Sequence, residues 1–314
     1  MSGEAHLAMG GGEEFDAIRR MLSTWGAKAR GIGDDAAVLE VPRGEKLVVS
    51  TDAAVEDVHF KRPWLSAMEI GARAASAALS DLAAMAATPR GLLLAVGLPA
   101  DWHGDLEDIA RGVGMSADYS GCPIIGGNLS ASHVLSLTIT VLGSTSQPLH
   151  RNGARPGDVI FVTGQLGGPR AALAAFTNGT RPAPAHRMRF ASPKARLRES
   201  YWLAARGARA AIDISDGLVA DAEHIALASG VSIEIDDRAV PLMDGVGIAD
   251  ALASGEEYEL LVAMPQASVV DVRGFAGEFG IPLTAIGVVT TVGDRPVTTN
   301  GTRATAPRGH DHLA

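Results

Sequence analysis

The sequence predicts an α+β protein of two domains, and three observations carry that reading. Its 314 residues are about twice the length of an ordinary domain of roughly 150. Helix-period and strand-like segments mix in both halves, without the long strict βαβ alternation that builds a doubly wound parallel sheet. A polar connector at residues 147–158, QPLHRNGARPGD, carries both Pro and Gly. The boundary is placed near Ser146, giving domains 1–146 and 147–314.

In the first domain, Phe15, Ile18, Met21 and Leu22 recur at helical spacing over Glu13–Trp25. GIGDD at 31–35 reads as a turn, followed by a short apolar stretch at 36–41. KLVVST at 46–51 is rich in β-branched residues and reads as a strand ending in Asp52. A loop at 56–63 carries His59. Residues 66–87 read as a long alanine-dominated helix enclosing Ser80 and Asp81, because alanine favours helix and lets other backbones come close. A strand at 91–97 and a helix at 105–117 follow. A short strand at 123–125 then ends in Gly126-Gly127-Asn128, and another strand covers 134–142.

In the second domain, a strand at 159–163 leads through the Gly-rich turn 164–168 into a helix with Pro169 in its first turn. Residues 177–184 read as a loose junction and 195–206 as a helix. A strand at 211–214 enters Ser215-Asp216-Gly217 and a helix that runs to Ala228. Strands at 231–235, 260–263 and 285–289 complete the pattern, with a helix near 269–279.

Composition excludes several classes. Hydrophobic residues make up 46% and charged residues 20%, so a core forms and disorder is excluded. No stretch approaches the roughly 18 apolar residues of a membrane span. One cysteine, Cys122, excludes a disulfide framework and a cysteine-based zinc site. The chain therefore reads as a soluble cytoplasmic protein. Its net charge of −9 and its scarcity of aromatic residues argue against nucleic-acid binding. An acidic protein still binds a phosphorylated ligand when divalent cations stand between the two sets of charge.

The placement of the acids then matters. Asp35 lies in a Gly-rich turn, Asp52 closes a strand after Ser50 and Thr51, and Asp213 and Asp216 flank Ser215 at another strand end. Each has a plain reading as a turn or cap residue. Asp81 lies within an apolar helical stretch, where burial is costly without a cation or hydrogen bonds. Together these hard oxygen ligands are of the kind magnesium takes, with water and phosphate filling the remaining positions. No HxxxH pair, GxSxG elbow or Walker A lysine is present, so a nucleotide would be held by metal and isolated basic groups such as Arg151. The 164–168 turn offers backbone amides to an anion, or is simply a tight turn.

GIGDDAA at 31–37, STD at 50–52 with His59-Phe60 downstream, and LSDLAAM at 79–85 resemble the thiamine-monophosphate kinase family, as do RNGARPGD at 151–158, VTG at 162–164 and IDISDGL at 212–218. The resemblance runs from about Glu14 to His312. The wider superfamily shares parts of this pattern: aminoimidazole ribonucleotide synthetase, selenophosphate synthetase and the hydrogenase-maturation dehydratase. It implies the two-domain α+β fold of aminoimidazole ribonucleotide synthetase, with N-terminal domains pairing strands across a homodimer and ligands drawn from both domains. It also implies ATP-dependent phosphorylation of thiamine phosphate to thiamine diphosphate. By matching positions, Asp35, Ser50, Thr51, Asp52, Asp81, Asn128, Asp213 and Asp216 would bind Mg2+, and catalysis would rest on Asp52, Asp81 and Asp213. Gly126, Gly127, Asn128, Arg151 and Ser215 would meet ATP, and His59, Glu256 and Leu313 thiamine phosphate.

Three departures stand out. Asn128 replaces an aspartate and supplies no charge. Glu257 replaces an aspartate, and its extra methylene is expected to shift the substrate loop. The tail GHDHL at 309–313 ends in Leu313 instead of an aromatic residue, and His310 reads either as a stacking group or as part of a mobile terminus. Two other readings stand beside the kinase: a superfamily ATP-dependent enzyme acting on another small phosphorylated or carbonyl compound, and a paralogue that binds nucleotide or thiamine phosphate without turnover.

Overall fold

The computed structural model describes residues 11–268 and 270–300, and the backbone of 302–303. The chain forms two compact units, Met1–Leu82 with Ala87–Gln147 and Ala83–Ala86 with Pro148–Ala314. Unit 1 contains α1 (Glu13–Trp25), β1 (Lys46–Val55), α2 (Ala67–Ala84), β2 (Thr88–Leu98), α3 (Leu106–Tyr119), β3 (Ile124–Ala131) and β4 (Ser136–Thr145). Its strands form one sheet in the order β1-β4-β2-β3, antiparallel except for the β2/β3 pair.

The sheet has one helix-bearing face and one open face, a separation that period-two alternation dictates. Register places Val141, Leu92 and Ile124 in line with Ser50 on the helix-bearing face, and those three apolar residues are fully buried. Ala53, Thr138, Ala95 and Asn128 align on the open face. Two glycines let α2 and α3 touch backbone to backbone. A Cβ on Gly71 would stand 2.1 Å from the Ile109 carbonyl oxygen, and one on Gly112 would stand 1.9 Å from that of Met68. α1 packs on α3, with the Trp25 indole N–H donating to the Ala110 carbonyl at 2.7 Å.

Unit 2 contains β5 (Val159–Thr163), α4 (Gly168–Thr177), α5 (Pro184–Ala191), α6 (Leu197–Ala204), β6 (Ala210–Asp213), α7 (Leu218–Ser229), β7 (Ser232–Ile235), α8 (Ile248–Leu252), β8 (Leu260–Met264), α9 (Val272–Phe279), β9 (Leu283–Thr290), β10 (Val297–Thr299) and β11 (Thr302–Arg303). Its seven strands run β11-β10-β7-β9-β5-β8-β6, all neighbours antiparallel except β7 and β10. α7 lies against this sheet, burying Leu218 and Ile225 with Ile212, Ile233 and Leu261. Among the described residues, no helix is long and apolar enough to cross a membrane.

Four local readings change. Gly126-Gly127-Asn128 lies inside β3, not beyond its end, with Gly126 and Gly127 opposite Leu93 and Leu94. A Cβ on Gly127 would meet the Leu94 carbonyl oxygen at 1.8 Å, so the glycine serves close strand approach and not a turn. β1 runs past Asp52 to Val55. The apolar stretch 36–41 has no regular structure, and Val38 is 93% exposed. The junction at 177–184 stays irregular over 178–183 and then enters α5, a short helix absent from the sequence reading, with Pro184 in its first turn.

Candidate active site

In unit 1, the proposed ligands sort by sheet face and edge. β1 is an edge strand, and alternation sends Ser50 and Asp52 to the helix-bearing face and Thr51 to the open face. Ser50 Oγ donates to Asp81 Oδ2 at 2.5 Å, joining β1 to α2. Asp81 is half-buried, and the exposed Asp52 accepts the Ala53 N–H at 2.8 Å. Thr51 Oγ1 lies 3.0 Å from Thr140 Oγ1 on the other face. Ser50 and Asp81 therefore meet, Asp52 shares the sheet face of Ser50, and Thr51 turns away. The half-buried His59 follows β1, where the Val55 N–H donates to its Nδ1 at 3.1 Å. The neutral ring then carries its proton on Nε2.

Asn128 lies at the opposite edge, on β3 and on the open face. Three strand spacings separate it from β1, about 14 Å, so one copy of unit 1 does not bring Asn128 to Asp52 and Asp81. The turn carrying the exposed Asp34 and Asp35 follows a segment tied to β3, where Arg30 N–H donates to the Ile124 carbonyl at 2.8 Å. A cavity of about 200 Å3 opens beside it, walled by Phe15, Ile18 and Leu22 of α1 and floored by Gly127 and Asn128.

In unit 2, β6 ends at Asp213, which is 4% exposed. The loop beyond it is organised by Asp221, the fourth residue of α7. Asp221 Oδ2 accepts the N–H groups of Ser215, Asp216 and Gly217, each at 3.1 Å. Asp216 stays partly exposed, with Oδ2 3.9 Å from His224 Nε2. Burial, reinforced by the negative charges of Asp216 and Asp213, pushes the Asp221 carboxyl up to about 7 against the pull of its backbone hydrogen bonds.

The 254–258 loop packs on this one. Glu256 N–H donates to the Ser215 carbonyl at 2.7 Å, and Tyr258 N–H to that of Ile214 at 2.9 Å. Glu256 and Tyr258 both adopt left-handed backbone, φ +57° and +53°, which costs non-glycine residues about 1 kcal/mol or more each. Buried carboxylates on either side of Tyr258 hold that shape. Glu257 is fully buried, accepts the Gly167 N–H at 2.5 Å, and has Oε2 3.5 Å from Arg189 Nε. Arg189 also donates to the Glu257 carbonyl at 2.9 Å and to Glu259. Glu259 further accepts from Arg196 Nε at 2.8 Å and from Thr163 Oγ1 at 2.6 Å. Burial pushes the Glu257 carboxyl up to about 7, with Arg189 opposing. Burial acts on Glu259 too, but Arg189 and Arg196 together hold its carboxyl below the usual range.

The anion met by the 164–168 turn is therefore the chain's own Glu257. Its extra methylene is spent inward, reaching Gly167, while Glu256 remains beside Ser215. Arg151 is exposed in a 3-10 turn, Arg151–Gly153, whose first carbonyl accepts from Ser229 Oγ at 2.8 Å. That places its backbone at the far end of α7 from Ser215. Leu313 and His310 lie outside the described residues. Sequence reasoning passed over Asp221, although an acid in the first turn of a helix is a recognisable partner for free amides. It also passed over the pairing of Glu259 with Arg189 and Arg196, for which no sequence signal exists.

All proposed metal-binding side chains offer carboxylate, hydroxyl or amide oxygens, and the Ser50–Asp81 contact already brings two of them together. That donor set suits magnesium. Both units are AIR synthase-related domains: the model of the AIR synthase related protein, N-terminal domain, matches residues 33–145, and that of the C-terminal domain matches 155–298. The thiamine-monophosphate kinase of Salmonella typhimurium is 36% identical over 82% of this chain and 83% of its own. The crystal structure of thiamine-monophosphate kinase from Stenotrophomonas maltophilia K279a superposes with a TM-score of 0.82 at 32% identity, covering 93% of this chain and 98% of that one. AaThiL complexed with AMPPCP and TMP does so with a TM-score of 0.77 at 33% identity, covering 98% and 99%. This chain belongs to the thiamine-monophosphate kinase family.

Proposed function

We infer that this chain transfers the γ-phosphoryl group of ATP to thiamine phosphate, giving thiamine diphosphate. The observation that carries the reading is its likeness, over nearly the whole chain, to AaThiL solved with AMPPCP and TMP. AMPPCP is an ATP analogue that resists transfer, so that protein holds donor and second ligand together.

The residues suit the chemistry. The attacking group is a phosphate oxygen, already anionic near neutral pH, so no strong general base is required. Positioning two polyanions is the difficulty. Asp52, Asp81 and Ser50 in unit 1, and Asp213 and Asp216 in unit 2, are the proposed magnesium ligands, with Asp35, Thr51 and Asn128 as further candidates. Bound magnesium neutralises phosphate oxygens and stabilises charge in the transition state. Ser50 orients Asp81 by its hydrogen bond. Gly126, Gly127 and Asn128 offer backbone and an amide beside the apolar wall of α1, a setting for a flat ring with a phosphate tail. Arg151 and Ser215 are proposed for ATP, and Glu256 and His59 for the cationic thiamine moiety.

A homodimer fits the same residues. β1 is a ten-residue edge strand exposing Leu47 and Val49, the kind of edge that pairs with another chain. Pairing two copies so that β1 of one approaches β3 of the other would unite the two groups of unit 1 ligands.

The test offers Mg-ATP and the purified chain either thiamine phosphate or other small phosphomonoesters, with products separated by chromatography. Thiamine diphosphate is expected from the first mixture alone. Turnover of another phosphomonoester, with thiamine phosphate inert, would replace this reading by a different substrate, a change Asn128 would then explain.

A further inference from the structure

The loop between β6 and α7 turns three consecutive N–H groups toward one point. Such a concavity at a helix N-terminus attracts anions, phosphate above all. Here the point is occupied by the Asp221 carboxylate, 1% exposed, accepting from Ser215, Asp216 and Gly217 at 3.1 Å each. The start of α4 repeats the device, with Gly167 N–H donating to the fully buried Glu257. Both amide seats are thus filled from within. The Asp221 seat carries a further cost, because two more carboxylates, Asp213 and Asp216, stand next to it. The three N–H groups offset that crowding of like charge, and His224 stands 3.9 Å from Asp216.

We propose that Asp221 is a built-in substitute for phosphate: it occupies the 215–217 amide seat, denies that seat to free phosphate, and fixes the loop so that Asp216 faces cations. The last clause rests on the reading of Asp216 as a magnesium ligand. The occupation of the seat does not. Asp221 is on this account a positioning residue, acting through the loop without touching substrate. With the seat filled, the three backbone amides are closed to phosphate, which meets this loop through metal on Asp216 or through the Ser215 hydroxyl.

The test removes the plug and offers inorganic phosphate without magnesium, ATP or thiamine phosphate. Asp221→Ala leaves the three amides unfilled; Asp221→Asn keeps an acceptor oxygen on the same stem. Phosphate at about 10 mM should raise the melting temperature of Asp221→Ala by roughly 2–4 °C through mass action. Wild type and Asp221→Asn should not respond, and sodium chloride at equal ionic strength should not substitute. If Asp221→Ala fails to fold in chloride, phosphate should restore folding. Equal phosphate responses in wild type and Asp221→Ala, or failure of phosphate to stabilise or refold the variant, would overturn the proposal. Failure of the kinase reading shows separately, as absence of thiamine diphosphate from the wild-type chain with Mg-ATP.

Discussion

Gly112→Ala perturbs the helix contact beneath the unit 1 acids. The added Cβ would stand 1.9 Å from the Met68 carbonyl oxygen and 2.7 Å from the Ala72 nitrogen. Carbon and carbonyl oxygen sit comfortably at about 3.3 Å, so α2 and α3 must part by more than about 1 Å. Both obstructing atoms are backbone, and no side chain can rotate out of the way. Overpacking of this kind costs about 1–3 kcal/mol, and the better helix propensity of alanine returns up to about 1 kcal/mol. The net loss is on the order of 1–2 kcal/mol, a fall in melting temperature of roughly 3–8 °C. Because α2 carries Asp81, the shift also strains the Ser50–Asp81 bond, and kinase activity should fall more than stability alone explains. The assay is calorimetry beside steady-state kinetics at a temperature where the variant is folded. An unchanged or higher melting temperature with wild-type kcat would refute the close-packing argument.

Other outcomes follow from single residues. Asp81→Ala should lower kcat on the order of 10²-fold or more while the circular dichroism spectrum is unchanged; wild-type rates would remove Asp81 from the metal site. Asn128→Asp should lower the magnesium concentration needed for half-maximal rate, measured by titration at fixed ATP, if the missing charge limits metal binding; an unchanged requirement would remove Asn128 from the ligands. Glu257 has its carboxyl raised from 4.5 to about 7 in the folded chain. The folded state therefore favours the protonated form, and this stabilisation, present below the unfolded value, is lost as pH rises through about 7. Between pH 6 and 8 the wild type should lose on the order of 1–2 kcal/mol relative to Glu257→Gln, read as diverging melting temperatures. Parallel curves would contradict the burial argument.

Periodicity made much of the fold legible. α1 at Glu13–Trp25 and β5 at Val159–Thr163 have the bounds their patterns suggest, because local spacing alone decides them. The pair Gly126-Gly127 ends the strand too early in the sequence reading: glycines that close a strand in one context permit close strand approach in another, and the neighbouring Leu94 carbonyl distinguishes them. The grouping of Ser50 with Asp81 was legible as motif but not as contact, since it depends on how α2 crosses β1. That Thr51 and Asn128 point away from Asp52 is a matter of sheet face and strand order, set by register across four strands. Glu257 and Asp221 act inward on backbone amides that come from loop conformation, which side-chain identity does not announce.

The reaction assigned to this chain is transfer of the terminal phosphoryl group of ATP to thiamine phosphate. It is tested most directly by incubating the purified full chain with ATP labelled in the γ-phosphate, magnesium and thiamine phosphate. Label should appear in thiamine diphosphate, and should vanish when magnesium is removed. Label found only in ATP and inorganic phosphate, or transfer equal to the metal-free control, would contradict the account.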